Sequence, residues 1–136
     1  MFGKKKRQYA IYAVDDEREI RKAFKELLPE IVDCEVTVFA SLKEIEERLK
    51  TDTVLPDLIM SDIHMPGKSG LCLSKFLRDT NYRIPVIYVT ADKGEDLNVG
   101  EFHILSKPFN VFELEKVIKK QLKIETPVAL KQVRKK

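Results

Sequence analysis

The sequence predicts an α/β fold, in which helices cover both faces of a five-stranded parallel sheet. Short apolar runs alternate with amphipathic stretches along most of the chain. Runs that are apolar at nearly every position are typical of strands buried on both faces. Because strand–helix–strand crossovers are right-handed, this alternation favours a doubly wound sandwich.

Five segments read as strands and four as helices. The strand segments are residues 9–14, 36–40, 57–62, 85–90 and 102–105. The helical segments, with apolar residues at a spacing of three and four, are residues 20–31, 42–49, 71–77 and 111–122. We expect Ser41 and Asn110 to cap two of these helices, and Asp16 with Glu19 to form a capping box at the first.

The composition indicates one globular domain without a membrane span. The chain has 136 residues, of which 43% are hydrophobic and 35% charged, and its net charge is +3. No apolar run approaches the roughly 20 residues of a membrane helix. The basic start lacks a secretory signal, so we expect a cytoplasmic protein. Cys34 and Cys72 have no metal-ligand spacing and are interpreted as buried thiols.

The two ends of the chain are more basic than the middle. We expect a basic arm over residues 1–8, a folded domain over residues 9–124, and a basic tail or linker stump over residues 125–136. Solvated termini explain these charges more simply than a binding surface does. No nucleic-acid-binding motif accompanies them, so neither nucleic acid nor a membrane is expected as a partner of this chain alone.

Charged and polar residues stand where four of the predicted strands end. Asp15 and Asp16 follow the first strand, Asp62 ends the third, Thr90 ends the fourth, and Lys107 follows the fifth. In an open parallel sheet these ends form one edge, where ligands bind. Three clustered carboxylates repel one another, and oxygen ligands of this kind suit Mg²⁺. A carboxylate between that ion and an ammonium group could attack phosphorus and form an acyl phosphate.

These residues resemble the motifs of CheY-like receiver domains of bacterial two-component response regulators. The resemblance rests on residues 14–17, 62–66 with Gly70, 89–91 and 107–109, and it spans residues 9–124. It implies a flavodoxin-like fold with strand order 2-1-3-4-5. It also implies that Asp62 is the phosphoacceptor, that Lys107 pairs with the phosphoryl group, and that Thr90 donates its hydroxyl to it. The implied magnesium ligands are Asp15, Asp16, Asp62 and the main-chain carbonyl of His64.

The resemblance further implies the partners of such a domain. The phosphodonor would be a phosphohistidine on a sensor histidine kinase or on a phosphotransfer protein. The domain would catalyse only its own phosphorylation and slow dephosphorylation, and it would signal to a downstream protein by a change of surface. Mg²⁺ is the one cofactor expected, and the domain should be a monomer or weak dimer.

Two features depart from the family pattern. Only the sixteen residues 91–106 separate Thr90 from Lys107, which is fewer than usual, and residues 91–100 contain two glycines and little apolar face. We therefore expect the fourth family helix to be shortened or irregular. Ile104 stands where the family usually has Tyr or Phe, so the usual signalling face looks altered.

Three alternative functions remain to be weighed at this stage. A receiver-like adaptor that binds its partner without phosphorylation would fit the short segment and Ile104. A phosphatase with an aspartate nucleophile usually has a second carboxylate two residues further on, but His64 occupies that position. Flavin binding on the same fold lacks a hydroxyl- and glycine-rich loop after the first strand.

Overall fold

A computed structural model describes residues 8–65, 68–90, 103–107 and 109–124. Seven strands lie in this part of the chain: β1 (Tyr9–Val14), β2 (Cys34–Phe39), β3 (Leu58–Asp62), β4 (His64–Met65), β5 (Lys68–Ser69), β6 (Val86–Thr90) and β7 (His103–Ser106). The four helices described are α1 (Arg18–Ile31), α2 (Leu42–Thr51), α3 (Leu71–Asp79) and α4 (Val111–Leu122). The predicted elements are all present, with ends that differ by at most two residues.

Five of the strands form a parallel sheet in the order β2-β1-β3-β6-β7. The remaining two, β4 and β5, form a separate two-residue antiparallel pair after β3. When that pair is set aside, the order is the predicted 2-1-3-4-5. Val14 lies opposite Ser61, and Asp62 lies opposite Val89, so the carboxyl ends of the central strands meet at one edge.

Side chains of alternating strand residues enter two apolar layers, one on each face of the sheet. Ile11 and Ala13 pack in a layer with Phe24 and Leu28 of α1 and Leu114 of α4. The opposite layer contains residues of β1, α2 and α3; these are Tyr12, Val14, Ile45, Leu49, Leu73 and Leu77. Every residue of β3 and of β6 is buried, as expected for central strands covered on both faces.

Two of the three predicted helix caps are present. Ser41 Oγ accepts a hydrogen bond of 3.2 Å from the amide of Glu44, and Asn110 Oδ1 accepts one of 2.8 Å from the amide of Glu113. The capping box predicted from Asp16 and Glu19 is wrong. The residue that precedes α1 is Glu17, whose side chain makes no capping bond.

Several sequence-based expectations fall outside the described residues. These include the irregular segment predicted over residues 91–100, the basic tail over residues 125–136, and all but the last residue of the arm over residues 1–8. Cys34 is a buried free thiol as expected, whereas Cys72 is only half-buried. None of the helices in the described part of the chain combines the length and apolar character needed to cross a membrane.

The Ser41 cap can be tested at a single position. Replacing Ser41 by Ala removes the acceptor for the Glu44 amide and should lower the free energy of unfolding by about 1 kcal/mol. Ser41→Asp is the matched control, because aspartate also caps helices and should retain most of the stability. Urea unfolding followed by circular dichroism measures both. Equal losses in the two variants would contradict the capping role.

Candidate functional site

Three carboxylates gather at the carboxyl edge of the sheet. Asp15 and Asp16 follow directly on β1, and Asp62 is the last residue of β3. One oxygen from each of the three lies within 4.8 Å of the others. Asp15 is 1% exposed and Asp62 is 8% exposed, whereas Asp16 faces solvent. The adjacent parallel strands β1 and β3 therefore bring together the aspartates predicted from the sequence.

In the part of the chain that the structure describes, one lysine faces the two buried carboxylates. Lys107 follows β7, and its Nζ lies 3.6 Å from Asp62 Oδ2 and 3.9 Å from Asp15 Oδ2. Its amide donates a hydrogen bond of 2.6 Å to the carbonyl oxygen of Thr90, which ties the residue to the end of β6. The ammonium group is thus shared between two carboxylates at distances longer than a hydrogen bond.

Main-chain amides orient both buried aspartates. The amide of Glu17 donates to Asp15 Oδ1 at 2.8 Å, and the amide of His64 donates to Asp62 Oδ1 at 3.0 Å. Each carboxylate consequently uses Oδ1 to hold its own turn. The Oδ2 atoms of both residues are the ones that face Lys107.

Burial and the neighbouring carboxylates disfavour the ionised form of Asp15. Burial raises the pKa of Asp15 above the ordinary aspartate range, and the nearby Asp62 and Asp16 carboxylates raise it further. The hydrogen bond from the Glu17 amide and the charge of Lys107 act in the opposite direction. Asp15 Oδ2 is buried and accepts no hydrogen bond within the described part of the chain. This oxygen therefore needs a cation more than the other carboxylate oxygens do.

A divalent cation fits this set of residues. The three carboxylates supply oxygen ligands, which are those that Mg²⁺ prefers, and a cation beside Asp15 Oδ2 would satisfy that atom. Three negative charges and one ammonium group also leave a net negative charge, which a divalent ion would offset. The three clustered carboxylates thus fit the Mg²⁺ ion expected from the sequence.

Thr90 and His64 lie at the same edge. Thr90 is the last residue of β6 and is fully buried. It directly follows Val89, the β6 residue that lies opposite Asp62 of β3. His64 is exposed and reaches the site through its amide. Coordination by the His64 carbonyl and the contact of the Thr90 hydroxyl with a phosphoryl group remain predictions.

The comparison with protein families identifies the family and the fold. The family model described as "Response regulator receiver domain" matches residues 11–119. The chain belongs to this family. The CheY-like receiver fold expected from the motifs is therefore confirmed.

Curated relatives of this receiver domain are longer proteins. The DNA-binding transcriptional regulator NtrC of Klebsiella pneumoniae is 37% identical over 108 residues, which cover 75% of this chain and 22% of that protein. Response regulator Rre1 of Synechocystis is 32% identical over 120 residues, which cover 83% of this chain and 51% of that protein. The chain thus spans about half or less of the length of these two relatives.

Solved receiver domains have the same fold. The response regulator TrrA of Thermotoga maritima, solved in complex with Mg²⁺ and BeF, is 30% identical, with a TM-score of 0.73 over 84% of this chain and 99% of that chain. The Francisella response regulator 1452 receiver domain is 28% identical, with a TM-score of 0.74 over 85% of this chain and 98% of that chain. An acidic pocket of the kind seen here is typical of receiver domains.

Gly70 is required by close packing in this receiver domain, whereas the sequence indicated only a turn. A Cβ atom at Gly70 would overlap the carbonyl oxygen of Asp62 and lie 2.9 Å from the Cα of Ile63. The amide of Gly70 also donates a hydrogen bond of 2.6 Å to the carbonyl of Ile63. The start of α3 is therefore packed directly against the main chain of Asp62.

Arg21 is a site residue that the sequence analysis missed. Its Nη1 donates a hydrogen bond of 2.9 Å to the carbonyl oxygen of Asp15, from the first turn of α1. This contact fixes the main chain between the two consecutive aspartates. A basic residue six positions after an acidic strand end was the available signal, but it is too common to indicate such a contact by itself.

The charge balance at Asp15 predicts how stability depends on pH without metal. The pKa of Asp15 is higher in the folded state than in the unfolded chain. At a pH between these two pKa values, the folded state therefore binds more protons than the unfolded chain does. This group's contribution to stability is therefore greatest below the ordinary aspartate pKa and is lost as the pH rises through the raised value. At neutral pH with EDTA, Asp15→Asn should raise the melting temperature, and Mg²⁺ should then stabilise it less than the wild type.

Thermal unfolding with EDTA or MgCl₂ over a range of pH measures both effects. Asp33→Asn is the control, because Asp33 is an exposed aspartate after α1. If Asp15→Asn lowered the melting temperature without metal, the proposed repulsion at Asp15 would be wrong. If Mg²⁺ stabilised Asp15→Asn as much as the wild type, the proposed cation site would be wrong.

Close packing at Gly70 gives a second prediction. Gly70→Ala should lower the free energy of unfolding by about 1–3 kcal/mol, because the new methyl group meets main-chain atoms that cannot rotate away. The neighbouring exposed Ser69 provides the control Ser69→Ala, for which we expect a loss of about 1 kcal/mol or less. Chemical denaturation measures both losses. If Gly70→Ala were as stable as Ser69→Ala, the loop would have more space than the structure shows.

Proposed function

We propose that this receiver domain accepts a phosphoryl group on Asp62 from a phosphohistidine of a sensor histidine kinase or a phosphotransfer protein. The observation that supports Asp62 is its combination of access and charge. It is close to Lys107 and keeps 10% of its side chain exposed, whereas the Asp15 side chain is 1% exposed. Asp62 is thus the better placed of the two lysine-paired carboxylates to meet a donor from solution.

The reaction transfers a phosphoryl group between two nucleophiles. An oxygen of the Asp62 carboxylate forms a bond to phosphorus, and the bond from phosphorus to the imidazole nitrogen breaks. The imidazole leaves with the electron pair of that bond. Negative charge on the phosphoryl oxygens needs positive charge beside Asp62 Oδ2, and Lys107 Nζ at 3.6 Å supplies it. The hydrogen bond from His64 to Oδ1 keeps the carboxylate in one orientation.

The acidic residues would hold the ion that the reaction requires. Asp15, Asp16, Asp62 and the carbonyl of His64 are the proposed ligands of Mg²⁺. When bound, the ion supplies positive charge that lowers repulsion between the Asp62 carboxylate and the incoming phosphoryl group. The unsatisfied Asp15 Oδ2 and the clustered oxygens support this assignment.

Signalling is proposed to follow from contacts of the phosphoryl group with Lys107 and Thr90. Thr90 ends β6, and its carbonyl holds the amide of Lys107, so a contact at either residue would act on both strand ends. Ile104 lies in β7 opposite Tyr88 and is half-buried. Without an aromatic ring at Ile104, the change of surface would differ from the family's usual one, and an unidentified downstream protein would recognise it.

The remaining assignments follow from this role. We propose a folded domain over residues 9–124 between a basic arm and a basic tail, located in the cytoplasm as a monomer or weak dimer. Its catalysis would be limited to its own phosphorylation and slow dephosphorylation. Any DNA binding would belong to other segments or partners, as in relatives named as DNA-binding regulators, of which this chain resembles only a part.

Phosphorylation by a small donor tests this proposal directly. With phosphoramidate and Mg²⁺, the intact mass should rise by one phosphoryl group, because the site needs no kinase surface for the chemistry. Asp62→Asn should abolish the adduct, as should EDTA. Asp33→Asn, which removes an exposed carboxylate elsewhere, should leave it unchanged.

Other results would favour the alternative functions. If the wild-type protein formed no adduct with any phosphoryl donor, the proposal would be wrong, and an adaptor that acts without phosphorylation would be favoured. Turnover of many phosphate esters by each protein molecule would instead indicate a phosphatase. An adduct that persists in Asp62→Asn would place the acceptor on another residue.

A further inference from the structure

A tyrosine hydroxyl is buried in the middle of an apolar strand. Tyr88 lies in β6 and is 0% exposed. Its hydroxyl donates a hydrogen bond of 3.1 Å to the carbonyl oxygen of Gly70 and also contacts Ser74 Oγ. Tyr88 has one proton, and a carbonyl oxygen can only accept, so Ser74 must be the donor to Tyr88. The three groups therefore form a directed chain from Ser74 through Tyr88 to Gly70.

This chain of hydrogen bonds ends at Gly70, which packs against the main chain of Asp62 and Ile63. Gly70 leaves no space for a Cβ atom against the Asp62 carbonyl, and its amide holds the Ile63 carbonyl at 2.6 Å. The carbonyl of Gly70 also accepts a bond of 3.0 Å from Leu73, but that bond stays within the first turn of α3. The bond from Tyr88 is different, because it joins Gly70 to the neighbouring strand β6.

Strand geometry links the same tyrosine to the other side of the site. Tyr88 stands two residues before Thr90, so both side chains lie on the same face of β6. Burial raises the pKa of the Tyr88 hydroxyl, so it remains a protonated donor at neutral pH. The Tyr88 hydroxyl thus connects β6, the strand that ends at Thr90, with Gly70 in the segment that follows Asp62.

We infer that Tyr88 is a positioning residue for phosphoryl transfer, whose hydroxyl fixes Gly70 and, through Gly70, the main chain of Asp62 and Ile63. This inference rests on the proposed role of Asp62 as phosphoacceptor. A carboxylate must lie in line with the phosphorus atom, and a displacement of about 1 Å in a reacting group can cost up to a hundredfold in rate. Loss of the hydroxyl should therefore reduce the rate of phosphorylation more than it reduces stability.

The test compares two variants that each remove the hydroxyl of one tyrosine in the same apolar layer. Tyr88→Phe removes the bond to Gly70. Tyr12→Phe is the matched control: Tyr12 is 5% exposed in the same apolar layer, but its hydroxyl donates to Asp52 at the end of α2. The rate of adduct formation is measured over a range of phosphoramidate concentrations with saturating Mg²⁺, at a temperature where each variant is folded by circular dichroism.

Tyr88→Phe should lower the maximal rate on the order of tenfold, with little change in the phosphoramidate concentration that gives half of that rate. Tyr12→Phe should keep the wild-type maximal rate even if its melting temperature falls. A maximal rate in Tyr88→Phe equal to that of the wild type or of Tyr12→Phe would overturn the inference. A wild-type protein that takes no phosphoryl group would instead overturn the proposed function, and this inference with it.

A second variant keeps the test decisive if Tyr88→Phe does not fold. Ser74→Ala retains the bond from Tyr88 to Gly70 but removes the donor that orients the tyrosine hydroxyl. It should lower the maximal rate severalfold, by less than the loss expected for Tyr88→Phe. An unchanged rate in Ser74→Ala would then overturn the inference.

Discussion

The crowding of negative charge around Asp15 is the constraint on which the site depends. Its carboxylate is almost fully buried, lies beside Asp62 and Asp16, and has one oxygen that no donor reaches in the described part of the chain. Lys107 Nζ, 3.9 Å from that oxygen, offsets only part of this charge. Burial of a charge costs several kcal/mol, which is large against a total stability of about 5–15 kcal/mol. Two apolar layers and the parallel sheet hold the carboxylates together despite this cost. The same repulsion would favour a divalent cation at this site.

Main-chain hydrogen bonds give the two oxygens of each buried aspartate different roles. Amides of Glu17 and His64 hold the Oδ1 atoms, and Oδ2 of each residue faces Lys107. One oxygen is therefore fixed while the other remains available for a cation or a phosphoryl group. A carboxylate held by side chains alone would lose more conformational freedom when it met its ligand. The turns after β1 and β3 thus orient the aspartates before any ligand arrives.

The sequence predicted those parts of the structure that depend on local pattern and chain order. The aspartates, Thr90 and Lys107 could be placed together because the carboxyl ends of parallel strands share an edge, and Ser41 and Asn110 were recognised as caps from residue type. The wrong capping box at Asp16 has a physical reason: the Asp15 carboxylate accepts the Glu17 amide, and the cap position is Glu17, one residue after Asp16. Contacts that a side chain makes with the main chain, such as that of Arg21 with the Asp15 carbonyl six residues earlier, leave no periodic signal.

Tyr88 and Gly70 show why such contacts matter for function. Both residues read as ordinary parts of the fold, one as a strand residue and the other as a turn glycine. The structure joins them across eighteen positions of sequence through one hydrogen bond. Because Gly70 packs on the Asp62 carbonyl without space for a side chain, a displacement of Tyr88 would be transmitted to the main chain of Asp62, the proposed phosphoacceptor. In the proposed positioning role of Tyr88, the precision of the acidic site would depend on a buried, uncharged donor that lies two residues before the end of β6.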